Sequence, residues 1–369
     1  MRKIIPILLA ILFCSCHNND DQPTPDTPDQ ETGTFEEANI DKQKILALEN
    51  DINNGKYNIH SLLILRKNKL IYEQYFAGED AVFPTPVGKV PHTQDSLHDC
   101  RSVTKSIVSA CVGIALAQGK IKSVDDKIFD YFPAYRQYAT GDKADITIRH
   151  LLTMSSGLDW NERVSYDDPA NAERQMLEAQ DPTGFVLQCK SAARPGTVFN
   201  YSGGNTHLLG QIVERTTGMS IRDFANRYLF QPLGITKFLW SARADGIYWM
   251  PSGLRMRPLD MARVGRLYMQ QGQWKGQQLL PASWITQSTK WIVDSDEQNV
   301  GYGFQFWCSK PQVAGQQVDM AQAEGNGGQT IAMIPSLDLE IVMTAGYYND
   351  VTDQANQVLV RDVLGAVKK

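Results

Sequence analysis

Ser102-Val103-Thr104-Lys105 sets a hydroxyl and an amine three residues apart. On a helix that spacing puts both groups on one face. A lysine beside a serine can take the proton that makes the hydroxyl nucleophilic, provided desolvation and nearby positive potential lower its pKa. The apolar neighbours Val103, Ile107 and Val108 offer the desolvation. Ser102 opens a strongly helical stretch that runs to Gln118 and ends at Gly119, so its hydroxyl sits at the positive end of the helix dipole. The chemistry implied is acyl transfer through a serine ester. Ser-x-x-Lys alone recurs by chance about once in a chain of this size, and in isolation it reads more simply as a serine N-cap followed by an exposed lysine.

Other chemistries find less support. The chain has no Gly-x-Ser-x-Gly elbow and no His-Glu-x-x-His pair, which argues against an α/β-hydrolase and a zincin. His150 and His207 lie in helical patterns and read as structural. Cys100, Cys111, Cys189 and Cys308 show no Cys-x-x-Cys or Cys/His ligand spacing, so no zinc site and no metal is expected, and no cofactor motif occurs. A disulfide among these four is left open by the sequence.

The elements that would position Ser102 follow from periodicity. Ile40 to Ile52 has apolar residues at helical spacing, and His60 to Arg66 followed by Lys69 to Phe76 reads as a hairpin turning at Lys67-Asn68. Ala81 to Asp99, full of Pro and Gly, reads as a loop. From about Asp125 to Trp291 helical patterns alternate with Pro/Gly turns. Strand patterns return at Tyr302 to Cys308, Gln329 to Ile334 and Leu339 to Thr344, and Asp353 to Val367 reads as a closing helix. A sheet drawn from both chain ends around an inserted helical segment is an α/β (α+β) layered architecture rather than an alternating parallel one.

The first residues read as an address. Met1-Arg2-Lys3 precedes an apolar run, Ile4 to Phe13, too short to span a bilayer. Ser15-Cys16 resembles a bacterial lipoprotein box, making residues 1–15 a signal peptide and Cys16 the lipidated first residue of the mature chain. Residues 16–37 are polar and Pro-rich, a tether that cannot bury enough apolar surface to fold. Residues 38–369 show no second linker and read as one domain, and the 42% hydrophobic content of the whole chain suffices for its core. A net charge of -5 without a basic block argues against nucleic acid or anionic lipid as the main partner.

Five segments together resemble the serine β-lactamase and penicillin-binding family. Within it they match the large branch related to class C β-lactamases, family VIII esterases, D-amino-acid peptidases and 6-aminohexanoate-dimer hydrolases. They are Asp99 to Ser106 around the nucleophile motif, Ile146 to Gly157, Pro195 to Gly203 with its tyrosine, Gly253 to Arg263, and Gly325-Asn326-Gly327-Gly328-Gln329. Their order and spacing fit jointly over about Asn58 to Tyr347. The resemblance implies a β-lactamase/transpeptidase-like fold: an antiparallel sheet with helices on both faces and an inserted helical lobe.

It also implies that Ser102 is the nucleophile, Lys105 its base and Tyr201 a second proton handler with a lowered pKa. The backbone N–H groups of Ser102 and Gln329 would form the oxyanion hole, and Asn326, Gly327 and Gly328 would line the substrate site. Trp160 and Trp307 are candidate pocket walls. Two positions depart from the family pattern. Gly203 stands where the second motif commonly ends in Asn, and Asn326 stands where the third usually begins with Lys or His. A neutral Asn326 holds a substrate carboxylate less well than a cation would, unless Arg255 or Arg257 fills the gap. The expected activity is therefore hydrolysis of small esters, amides or D-amino-acid peptides by a lipid-anchored protein of the bacterial cell envelope. The alternatives are a β-lactamase or DD-peptidase acting on cell-wall peptides, and a non-catalytic envelope binding or sensor lipoprotein.

Overall fold

The computed structural model describes residues 31–350 and 354–368. The signal peptide and Cys16 lie outside the described residues. The main sheet has eight strands in the spatial order β10 (Val293–Asp294), β11 (Val300–Tyr302), β12 (Trp307–Ser309), β15 (Met320–Gly325), β16 (Gln329–Ile334), β17 (Leu339–Ala345), β1 (Ile59–Arg66) and β2 (Lys69–Tyr75). Every neighbouring pair is antiparallel, and β1 pairs with β17, so the two ends of the domain meet in mid-sheet.

The central strands are buried on both faces because residues alternate between two apolar layers. Leu63 and Leu65 of β1 join the cluster around α2 (Val103–Ala117) and α6 (Gly203–Thr217), with α8 (Pro258–Met269) and α9 (Ala282–Thr289). Leu62 and Ile64 face the other way, onto α1 (Lys42–Asn53) and the C-terminal helical segment of Val358, Leu359 and Val363. The inserted lobe adds the short helices α3 (Ile148–Leu152), α4 (Ala172–Glu178), α5 (Pro182–Gln188) and α7 (Ile221–Ala225) around α2, which is buried from Val103 to Ala115. Small two-stranded pieces complete the surface: β8 (Gln273–Trp274) with β9 (Gln277–Gln278), and β13 (Gln312–Val313) with β14 (Gln316–Gln317).

Local chemistry sets the helix ends. Asp41 accepts the Gln43 and Lys44 N–H groups ahead of α1, and Ser202 accepts from Asn205 N–H ahead of α6. Gly218 closes α6 in the left-handed region, φ 70°.

Several elements differ from expectation. The segment read as a loop from Ala81 holds a hairpin of β3 (Ala77–Val82) and β4 (Thr85–Pro91), followed by β5 (His98–Asp99), which joins β7 (Leu254–Met256) and β6 (Phe238–Trp240). Pro84, Pro86 and Pro91 masked it, yet prolines are tolerated in a two-stranded ribbon with free edges. Tyr302 to Cys308 is two strands. The chain turns between β11 and β12 with Gln305 at φ 65°, and the Gln305 amide donates to the carbonyls of Leu151 and Leu152 and accepts from Thr206. The closing helix begins as α10 (Gln354–Gln357), widens over Val358–Val363 and tightens over Leu364–Ala366. Residues 31–37, read as the end of the tether, already pack on the domain, with mutual backbone bonds between Glu31, Gly33 and Leu70. The four cysteines named above are unbridged, three of them fully buried.

Candidate active site

Ser102 caps α2 with no side-chain cap bond, because its Oγ faces Lys105 instead. Arg101, at φ 49°, turns the chain sharply ahead of it. Lys105 is 1% exposed and its Nζ donates to Ser102 Oγ at 3.0 Å, the geometry a nucleophile and its proton partner require.

Two buried carboxylates that sequence reasoning passed over hold the same ammonium. Glu173 on α4 has Oε2 3.4 Å from Lys105 Nζ and accepts from Ser252 Oγ at 2.6 Å. Glu162 has Oε1 3.7 Å from Nζ and accepts from Trp160 Nε1, Tyr166 Oη and the Gly203 N–H at 2.6 to 2.8 Å. Burial alone would pull the Lys105 amine down, but Glu173 and Glu162 outweigh it and hold the amine above its ordinary value. The expectation of a lowered lysine pKa is thereby reversed. Burial, reinforced by Glu173, pushes Glu162 up to about 7, so the Glu162 carboxyl changes protonation near neutral pH.

Tyr201 stands over this group, its ring centroid 4.9 Å from Lys105 Nζ. It stacks on Trp307 at 5.4 Å and meets Tyr302 edge-on. Burial, with Glu162 adding to it, raises the phenol well above its usual range, while a hydrogen bond to Ser102 pulls the other way. This direction is opposite to the lowered phenol pKa that the family resemblance implied. Trp307 lines the pocket, whereas Trp160 is buried in the core and reaches the site only through its bond to Glu162.

The strand passing beside Ser102 is β15. A Cβ at its last residue, Gly325, would lie 3.1 Å from the Ser102 N and collide with the Cys100 carbonyl, so only glycine allows this approach. Gln329 starts β16 in register with Gly325, and its side chain donates to the Ala345 carbonyl at 2.7 Å. Asn326 lies on the turn between them. Its Nδ2 donates to Asn349 Oδ1 at 2.9 Å and its Oδ1 accepts from Asn349 N–H at 2.7 Å, so its amide braces the pocket rim. Gly327 and Gly328 complete the turn at φ 102° and 91°.

These groups open onto a cavity of about 240 Å³ lined by Ser102, Tyr166, Tyr201, Trp307, Glu324 and Asp350 among others. Among the described residues lining it, two are acidic and none is Lys or Arg. Neither arginine named as a substitute cation reaches it: Arg255 pairs with Asp99 at 2.8 Å and Arg257 with Asp260 at 2.7 Å. A larger cavity of about 600 Å³ between α9 and β12 contains none of these catalytic candidates. Neither His150 nor His207 lines this cavity. His150 accepts the Thr147 N–H at the start of α3, and buried His207 bonds Thr183 Oγ1. Arg149 pairs with Asp125 at 2.6 Å.

One signal in the sequence pointed to the missed glutamates. A Cβ at Gly203 would collide with Glu173 Oε2 and come within 3.2 Å of Glu162 Oε2. The departure from Asn at that position is thus the space these carboxylates occupy.

Comparison with known proteins agrees with the fold. The 6-aminohexanoate-dimer hydrolase of Paenarthrobacter ureafaciens is 23% identical over 308 residues, covering 78% of this chain and 72% of that protein. Among solved structures, EstCE1, a hydrolase with promiscuous acyltransferase activity, superposes with a TM-score of 0.67 at 16% identity, covering 89% of this chain and 98% of the other. A class C beta-lactamase superposes with a TM-score of 0.65 at 17% identity, covering 89% and 96%. The beta-lactamase family model matches residues 55–364, and the chain belongs to the beta-lactamase family.

Proposed function

We propose that the protein is a serine hydrolase that forms an acyl-enzyme on Ser102 and cleaves small esters, amides or D-amino-acid peptides that are neutral or carry an amine. The observation that supports it best is the 3.0 Å contact between Lys105 Nζ and Ser102 Oγ at the foot of an acid-lined pocket. As Ser102 Oγ attacks the carbonyl, its proton passes to Lys105 while Lys105 hands one to Glu173 Oε2, so the charge lost on the carboxylate appears on the substrate oxygen. Backbone N–H groups of Ser102 and Gln329 receive that oxyanion. Tyr201, held protonated, gives its proton to the departing alcohol or amine; in deacylation its phenolate takes a proton from the attacking water, and Glu173 returns its proton through Lys105 to Ser102 Oγ as the acid leaves.

The acidic pocket favours this reading over a β-lactamase or DD-peptidase, whose substrates carry carboxylates. The 6-aminohexanoate-dimer hydrolase likeness supports amide cleavage but is neutral on charge, since a linear dimer of an amino acid keeps both an amine and a carboxylate. Intact-mass spectrometry after incubation with a fluorophosphonate, with the labelled peptide mapped, tests it. A single adduct on Ser102, absent in Ser102→Ala, is expected; an adduct on another serine, or none, overturns it.

We further infer that Cys16 carries a lipid anchor holding the domain to the cell envelope. Two acyl chains give stable attachment where one does not, so Cys16→Ala should move the protein from the membrane to the soluble fraction. Unchanged fractionation would refute the anchor.

A further inference from the structure

Three of the chain's six histidines meet one aspartate far from any pattern visible in the sequence. His60 is on β1, Asp80 on β3, His92 just after β4 and His98 opens β5. One ligand atom from each lies within 4.8 Å of all the others, and none of the four side chains is more than 6% exposed. His60 Nδ1 is 2.8 Å from His98 Nε2. Asp80 Oδ1 is 3.6 Å from His98 Nε2 and 3.9 Å from His60 Nδ1, and Asp80 Oδ2 is 3.8 Å from His92 Nε2.

The far sides of the rings fix what the near sides carry. Asn58 donates from Nδ2 to the Glu79 carbonyl and accepts the Glu79 N–H at Oδ1, which sets its amide orientation. The same Oδ1 lies 3.2 Å from His60 Nε2, so that nitrogen carries the proton and Nδ1 presents a lone pair. His98 Nδ1 lies 3.2 Å from the Asp99 carbonyl, so it is the donor and Nε2 presents a lone pair. Two lone pairs then face each other at 2.8 Å, next to a carboxylate and to His92 Nε2, which is buried with no hydrogen-bond partner. A cation between them satisfies the facing lone pairs of His60 and His98 and the Asp80 carboxylate, and His92, stacked on His60 with ring centroids 4.2 Å apart, joins it by turning its ring.

We propose that His60, Asp80, His92 and His98 bind a zinc-class divalent cation that pins the β3–β4 hairpin to β1 and to the segment leading into Ser102. Ligand atoms about 2.0–2.1 Å from a tetrahedral zinc stand about 3.3 Å apart, and the contacts of 2.8 to 3.9 Å bracket that spacing. Imidazole and carboxylate are zinc ligands. The outer bonds are those that orient metal ligands: His60 to Asn58, His98 to the Asp99 carbonyl, and Tyr348 Oη donating to Asp80 Oδ1 at 2.8 Å. Room for the His60 ring comes from two glycines, since a Cβ at Gly78 would stand 2.6 Å from Nε2 and one at Gly346 2.8 Å from Cε1. Four protein ligands and so little exposure leave no place for substrate, so the ion is structural. The cysteine spacing set zinc aside in the sequence, but these residues converge only once the strands pair.

The test uses untagged full-length protein stripped with a chelator, mixed with zinc ions, freed of excess by gel filtration and analysed by inductively coupled plasma mass spectrometry. One zinc per chain is expected, with a higher Tm for the loaded protein, and cobalt in place of zinc should give the visible absorption bands of a tetrahedral site. His92→Ala should lose both the zinc and the Tm rise. Wild-type protein that retains no zinc and shows no Tm change overturns the proposal, as does His92→Ala retaining as much zinc as wild type. The wild-type measurement decides even where the variant fails to fold.

Discussion

Gly203 and Glu173 compete for one volume: a Cβ on the glycine would collide with Oε2 of the glutamate. Gly203→Asn, which restores the residue common in the family, should therefore displace Glu173 from Lys105 and destabilise the protein by about 1–3 kcal/mol, the usual cost of overpacking. Adding Glu173→Ala should recover part of that loss. Tm measurements around the double-mutant cycle check the coupling, and purely additive effects would mean the two residues do not share space.

Proton handling should be spread over more residues than the nucleophile motif names. Lys105→Ala and Tyr201→Phe should each lower kcat/KM on a p-nitrophenyl ester by about 100-fold or more, the range for acid–base groups. Glu173→Gln should lower kcat with little change in KM, since Glu173 contacts Lys105 and Ser252 and does not line the pocket. Wild-type kcat in Glu173→Gln would remove it from the relay.

Glu162 should leave a mark on stability as a function of pH. Its folded pKa, about 7, lies above the ordinary 4.5. An acid with a raised folded pKa binds its proton more tightly when folded, so its contribution is greatest below about pH 4.5, falls as pH rises toward about 7, and is flat beyond. Denaturant unfolding at pH 5 and pH 8 should show a loss in wild type that Glu162→Gln reduces. An equal loss in both proteins would place the titration elsewhere.

The parts of this molecule legible in the sequence are those that repeat locally. The β1–β2 hairpin, β16, β17 and the α2 helix with its serine follow from period and capping, because their neighbours in space are also neighbours in sequence or share a strong apolar pattern. Glu162, Glu173 and the His60–Asp80–His92–His98 cluster were not legible in the same way. Each is an ordinary polar residue in its own segment, and its burial arises from topology: Glu173 reaches Lys105 across 68 positions and His60 reaches His98 across 38. The β3–β4 hairpin was hidden by prolines whose effect depends on edge exposure, a tertiary property.

Substrate charge is where this pocket differs most from what a β-lactam needs. Glu324 and Asp350 line it, no Lys or Arg does among the described residues, and the amide of Asn326 is tied to Asn349. A substrate carboxylate entering here meets like charge at short range, and at an effective dielectric of about 20 two charges 4 Å apart interact by about 4 kcal/mol. Solvent in the open cavity reduces this, so a discrimination of about tenfold in KM per charge is a reasonable scale. Kinetics on a neutral p-nitrophenyl ester, an anilide of an ω-amino acid and a cephalosporin should rank the cephalosporin last. Glu324→Gln should raise KM for the amine-bearing anilide by about tenfold and leave the neutral ester nearly unchanged, since only the charged substrate loses an attraction. Asn326→Lys should help the cephalosporin less than a simple charge count suggests, because it also breaks the pair with Asn349 that braces the rim. A wild-type enzyme that turns over the cephalosporin with a higher kcat/KM than the neutral ester would overturn the charge assignment while leaving the acyl-enzyme on Ser102 intact.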